Sequence, residues 1–156
     1  MRFQLVSFGK SKFPFVDEAV EHYAENIRHM AELEIEFLRD QKSDREVEAE
    51  VLLAWLERKK FLKDGRIRII LLDEGGKEHD SVSFSKWISK LENEGVSRLV
   101  FVIGGAFGYG KKIQDHNFGK LSLSAMTFPH DIARIVLLEQ VYRALHIQAG
   151  TKYHHV

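Results

Sequence analysis

The sequence predicts an α/β domain, a mostly parallel sheet flanked by helices, formed as one unit over residues 1–156. Three observations predict it. Strand-like and helix-like segments alternate along the whole chain, the pattern of repeated strand–helix–strand units. Residues 99–103, LVFVI, form an apolar, β-branched run that suits a strand buried on both faces of a parallel sheet. Gly104, Gly105, Gly108 and Gly110 come straight after it. In open α/β sheets ligands bind beyond the carboxyl ends of the strands, and glycine there lets backbone approach them closely.

Taken in order, residues 2–8 form a first strand ended by Gly9, followed by a basic loop of Lys10, Ser11 and Lys12. Pro14 opens a helix in which Val16, Ala19, Val20, Tyr23, Ile27 and Met30 recur at helical spacing. Residues 32–38 alternate strictly, Leu33, Ile35 and Phe37 against Glu32, Glu34 and Glu36, as a half-exposed strand at a sheet edge does. Ser43 and Glu46 fit a capping box for a helix carrying Val47, Val51, Ala54, Trp55 and Leu62. Residues 66–72 are the next strand, with Asp73, Glu74, Gly75 and Gly76 as the loop after it. Ser83 is placed to cap a helix with Trp87, Ile88 and Leu91, closed by Gly95. The strand at 98–103, the glycine loop and a short helix near 112–117 follow. Residues 120–124 alternate as a strand with Leu121 and Leu123 on one face. An uncharged loop, 125–128, leads to Pro129, which suits the first position of a helix. That helix carries Ile132, Ile135, Val136, Leu138 and Val141, too apolar for an ordinary surface, and stops near Gly150.

Composition narrows the class. Hydrophobic residues make up 44% and charged residues 29%, globular proportions, and 156 residues suffice for a proper core. There is no cysteine, which removes disulfides and thiolate chemistry. No apolar run reaches the roughly 18 residues of a membrane span, and the first residues, MRFQLVSFGK, lack the long apolar segment of a signal peptide. A cytoplasmic protein is expected. Net charge is zero but unevenly spread: residues 32–50 hold eight acids against three bases, whereas 108–156 hold six bases against three acids and five of the eight histidines. A locally basic face on a neutral protein is still able to bind phosphates.

The chemical motifs exclude more than they name. The segment 105–112, GAFGYGKK, misses the phosphate-binding P-loop at its last position, where Lys112 stands in place of a hydroxyl, and the G-x-G-x-x-G fingerprint is absent. His154 and His155 are adjacent and point apart in extended chain, so no metal site is expected. Loops are usually polar, so the apolar Met126, Thr127 and Phe128 suit either plain packing or the wall of a pocket for a ligand with an apolar body. Glu139 and Arg143, with Gln140 between, interrupt the long apolar helix at ion-pair spacing. A surface pair there would be worth little, whereas a buried one calls for a role.

Five segments in fixed order then carry a resemblance: 71–77 (LLDEGGK), 101–108 (FVIGGAFG), 121–130 (LSLSAMTFPH), 137–144 (LLEQVYRA) and the terminal Tyr153-His154. Together they resemble the RlmH/YbeA family of the SPOUT class of methyltransferases, over the whole chain and most strongly over residues 69–154. The resemblance implies an α/β domain with its carboxy-terminal part threaded as a trefoil knot. It implies transfer of a methyl group from S-adenosyl-L-methionine to N3 of a pseudouridine in 23S ribosomal RNA of the ribosome. It implies a homodimer, with each site completed by the partner subunit. Residue by residue, it puts Leu72, Gly104, Gly105 and the segment Leu123, Ser124, Ala125, Met126, Thr127 and Phe128 around the cofactor. It also implies a functional tail at Tyr153 and His154. The imino proton on N3 has to leave for methyl transfer; His154 is the candidate acceptor because histidine titrates near neutrality, with Arg143 able to stabilise the developing anion. A SPOUT methyltransferase acting on transfer RNA and a non-enzymatic ribosome-associated factor are the alternatives.

Overall fold

The computed structural model describes residues 1–42 and 44–153. The elements run β1 (Arg2–Phe8), α1 (Pro14–Arg28), β2 (Glu32–Leu38), α2 (Arg45–Arg58), β3 (Ile67–Glu78), α3 (Ser81–Asn93), β4 (Arg98–Ile103), α4 (Lys111–Gln114), β5 (Gly119–Ser122) and α5 (His130–Gln148). The sheet order is β2-β1-β4-β3-β5 and every pairing is parallel. The α/β architecture and parallel sheet expected from the sequence are therefore present.

The apolar run of β4 is explained by its place at the centre of the sheet. Leu99, Phe101 and Ile103 point into a core shared with α1, α3 and α5, while Val100 and Val102 point into a second core under α2 with Leu52, Trp55 and Leu56. Each such side chain contributes roughly 1.5–3 kcal/mol on burial, so neither face tolerates a polar residue. β2, at the edge, is less buried: Leu33 joins the first core with half-buried Ile35 against it, Leu38 at the strand's end joins the second, and Glu32 and Glu34 face solvent. On α1, Val16, Val20, Ala24 and Ile27 form the buried stripe, and Met30 lies beyond the helix end, exposed.

Three local expectations are corrected. The cap of α2 is Asp44, whose carboxylate accepts from the amides of Glu46 and Val47; the expected capping residue Ser43 lies outside the described residues. Asp80 caps α3, accepting from the Ser83 amide at 2.6 Å, because its side chain sits one residue before the first helical turn. The strand expected to end at Leu72 continues to Glu78. Leu72 and Lys77 both lie opposite Leu121 on β5, so Asp73, Glu74, Gly75 and Gly76 bulge out of a strand that then resumes. Asp73 fastens the bulge: it accepts from the Gly75 amide at 2.8 Å and pairs with Lys120 at 3.1 Å. A Cβ on Gly76 would sit 2.7 Å from the Leu121 backbone, so only glycine lets the strand rejoin.

α5 leaves from the edge strand β5 and packs across α1 and α3. Ala133, Arg134, Leu137, Leu138, Val141 and Ala144 form its buried face. Ile132, Val136, Glu139 and Arg143 recur at helical spacing on another face and are only half-buried.

Candidate active site

A cleft of about 1100 Å³ opens at the carboxyl ends of β4 and β5 and at the bulge of β3. Three loops make its walls: the bulge after Leu72, the glycine loop after Ile103, and the segment between β5 and α5. Of the residues expected around a cofactor, Leu72, Gly104, Gly105, Leu123, Ser124, Met126, Thr127 and Phe128 line it together. Ala125 does not. Its loop is tightened by the Met126 amide, which donates to Ser124 Oγ at 2.9 Å, and by Ser122 Oγ, which donates to the Ser124 carbonyl.

The two glycines at the head of the loop are demanded by protein neighbours rather than by an open approach to a ligand. A Cβ on Gly104 would fall 2.9 Å from the Tyr109 ring, and one on Gly105 would collide with the Glu48 carboxylate. Both neighbours are buried and bonded. The Tyr109 hydroxyl accepts from the Gly104 amide at 3.2 Å. It lies 2.8 Å from the Val102 carbonyl and 2.9 Å from the Leu72 carbonyl, with its one proton to donate between them. One side chain thus ties together the ends of β3 and β4. Burial pushes its ionisation far above the ordinary tyrosine range, so it stays a neutral donor.

Glu48, on α2, accepts from the Gly105 amide at 3.2 Å. Burial raises its carboxyl above the ordinary value, opposed by that amide and reinforced by the charges of Asp40 and Asp44. Glu46 accepts from the Lys111 amide at the other end of the loop. Alternate glutamates of α2 therefore hold the loop at both ends. Sequence reasoning missed Tyr109 and Glu48. Tyr109 stood inside a glycine motif tested only for phosphate binding, and Glu48 acts on a residue 57 positions away.

Two carboxylates reach the cleft from the bulge. Burial alone would raise Asp73, but the Gly75 amide and Lys120 outweigh it and hold the group below the usual range. Glu74 accepts from the Thr127 hydroxyl across the cleft, joining the first and third walls.

The residues expected to act on substrate lie elsewhere. Arg143 donates through Nε to Glu139 at 3.0 Å, and Gln140 donates to the other oxygen of the same carboxylate. Its guanidinium stands 5.0 Å from the Tyr153 ring centroid, and the Tyr153 hydroxyl donates to Glu139. The hydrogen bond it donates to Glu139 raises the Arg143 guanidinium further above its ordinary range, so it stays protonated. Burial, then the Glu139 charge, raises Tyr153, which therefore stays a neutral hydroxyl. Tyr153 packs edge-on to Tyr142 at 4.7 Å, and the Thr151 amide donates to His146, so this tail folds back on the end of α5. At 1.5 Å per residue, Arg143 lies about 20 Å along α5 from His130 at the cleft. The structure gathers the expected cofactor residues into one place and keeps Arg143 and Tyr153 apart from them. His154 lies outside the described residues.

Among the described residues no three His, Cys, Asp or Glu side chains group to hold a metal ion, and no helix is long and apolar enough to cross a membrane. A parallel sheet with a glycine-walled cleft at its carboxyl edge defines an open α/β domain, the class in which ligands bind at that edge. The sequence profile of the family described as "Predicted SPOUT methyltransferase" matches residues 1–154. Proteins named "Ribosomal RNA large subunit methyltransferase H" are similar over nearly their whole length. That of Geobacter sp. (strain M21) is 39% identical, that of Syntrophobacter fumaroxidans 36% and that of Christiangramia forsetii 34%, each with 99% of both chains covered. The chain belongs to the SPOUT methyltransferase family.

Proposed function

We propose that this protein is a cytoplasmic S-adenosyl-L-methionine-dependent methyltransferase that methylates N3 of a pseudouridine in 23S ribosomal RNA on the assembled ribosome. The observation that carries the reading is the convergence of Leu72, Gly104, Gly105 and residues 123–128 on one cleft of a SPOUT-family chain. The residues fit the cofactor. Leu72, Leu121, Leu123 and Phe128 offer apolar walls to an adenine ring, and Asp73 and Glu74 offer carboxylates to hydroxyl or ammonium groups. Family membership implies the trefoil knot as well.

The working unit in this proposal is a homodimer. Ile132 and Val136 continue toward Glu139 and Arg143 along one half-buried stripe of α5. A second copy packed on that stripe would bring its own cleft to Arg143 and Tyr153, which stand about 20 Å from the cleft of their own chain. The cofactor, once bound, supplies an electrophilic methyl group. The protein must hold the base, accept the N3 proton and stabilise the anion left on the flanking carbonyl oxygens. Arg143, kept protonated by Glu139, suits the last task. Tyr153, neutral and packed beneath the guanidinium, positions it. His154 is the proposed proton acceptor.

Nucleoside mass spectrometry of 23S ribosomal RNA from a deletion strain tests the reaction: one N3-methylpseudouridine should vanish and return with the restored gene. An unchanged profile, or methylation found instead on free transfer RNA, would sink it. His154→Ala should leave cofactor affinity intact and slow methylation on the order of a hundredfold.

A further inference from the structure

The loop between β1 and α1 breaks the local rules without a structural return. Phe13 occupies the N-cap of α1, where it makes no side-chain capping bond. Serine or aspartate there would stabilise the helix by accepting from its first amides. Phe15 follows Pro14, and the two rings lie 5.5 Å apart, 54% and 59% exposed. Neither phenylalanine belongs to the hydrophobic cores. Lys10 and Lys12 precede them, both exposed and neither in an ion pair among the described residues. Ser11 Oγ accepts from the Phe13 amide at 3.0 Å and sets the turn that holds the first ring out.

The loop's position is fixed relative to the cleft. β1 and β4 are adjacent and parallel, with Ser7 opposite Ile103, so the two loops leave the same sheet edge side by side. Arg134, fully buried on α5, donates to the carbonyls of Phe8 and Gly9 at 3.0 and 2.6 Å. Its neighbours Ala133 and His130 line the cleft. Exposed apolar side chains concentrate at this edge: Phe13, Phe15, Phe107 and Met126 are four of the seven large ones among the described residues. Phe107 and Met126 belong to the cleft; Phe13 and Phe15 lie outside it.

We infer that the Lys10–Phe15 loop is a contact site for single-stranded RNA, with Phe13 and Phe15 stacking on unpaired bases beside the target and Lys10 and Lys12 meeting the adjoining phosphates. Stacking on exposed aromatics flanked by cations is the usual way to hold splayed-out bases. The inference rests on the proposed RNA methyltransferase activity and assigns it a substrate-holding surface outside the cofactor cleft.

The test is Phe13→Ser/Phe15→Gln, in which serine is the better N-cap, so the fold should hold. Cofactor affinity by calorimetry should stay within about twofold, while KM for ribosomes rises at least tenfold with little change in kcat. Lys10→Ala/Lys12→Ala should weaken binding and flatten its dependence on salt by about one unit per lysine. Ultraviolet crosslinking of the wild type to ribosomes should place nucleotide adducts within residues 10–15. An unchanged KM in the phenylalanine variant overturns the inference and leaves the proposed function standing. Conversion of a dimer to a monomer in that variant overturns it too, because the rings would then belong to a subunit interface. So does loss of binding to anionic vesicles with KM for ribosomes unchanged, which would make the loop a membrane contact. An inactive wild type, by contrast, removes the proposed function itself.

Discussion

The two ends of α5 are built differently. At its start, beside His130, the surroundings are glycine backbone, apolar side chains and the carboxylates of Asp73 and Glu74, held by bonds within the chain such as those of Tyr109 and Glu48. At its far end, Glu139, Gln140, Arg143 and Tyr153 form a charged and aromatic cluster that does not line the cleft. The cleft is walled by one chain, whereas Arg143 and Tyr153, to which the proposal gives anion stabilisation, do not line it. In the proposed dimer, binding and chemistry separate along this helix and meet across the subunit boundary.

The hardest way to break that comparison is to part the subunits. Val136→Glu puts a charge on the half-buried stripe, and an unpaired buried charge costs several kcal/mol. Sedimentation should show a dimer become a monomer, with turnover lost and cofactor still bound. A monomeric variant of wild-type activity would disprove the shared site. Next in size, Arg143→Ala should slow methylation by about a hundredfold or more at unchanged cofactor affinity. Mixing it with an inactive cleft variant should restore about a quarter of wild-type activity, since half the dimers are mixed and each keeps one intact site. No recovery would mean that each chain uses its own Arg143.

At the other end, Tyr109→Phe sharpens the account of the pocket. It removes the hydroxyl that joins Gly104 to the ends of β3 and β4. Stability should fall by about 1–2 kcal/mol, the cost of leaving buried groups unsatisfied, and cofactor affinity by roughly tenfold, readable by titration calorimetry. Equal affinity would show that the loop holds its shape without this bond. The smallest effect belongs to Glu48. The folded state holds its proton more tightly than the unfolded chain does, so its contribution is favourable at low pH and is lost as pH rises above 4.5, the ordinary value. Glu48→Gln keeps an acceptor for Gly105 and removes the charge. Its melting temperature should exceed the wild type's by a few degrees at pH 7, with the gap closing toward pH 4. A gap that widens on acidification would reverse the assignment.

Substituting Gly105 by valine is a poorer probe of the cleft than the sequence suggests. The new side chain would strike Glu48, so lost affinity would report a displaced helix as much as a blocked pocket.

Local pattern was enough for the elements. The alternation of residues 32–38, the double-faced run of β4 and the helical spacing on α1 each reflect which faces are buried, and burial is dictated by side-chain chemistry within one segment. The glycine loop was legible as a candidate pocket wall for the same reason, since position after a strand and residue type are local properties; Met126, Thr127 and Phe128 stood open between packing and a pocket wall, and the resemblance extended that wall to 123–128. What stayed hidden depends on distance across the fold. The strand β3 resumes after its bulge only because β5 lies beside it. Gly105 is glycine because Glu48 arrives from a helix 57 residues earlier. Arg143 and Tyr153 were legible as functional candidates only by residue type; their gathering with Glu139 and Gln140, away from the cleft of their own chain, is decided by the packing of the tail on α5. Nearest-neighbour chemistry determined where chain is buried and where it turns, while only the packed structure decided which distant side chains share a site.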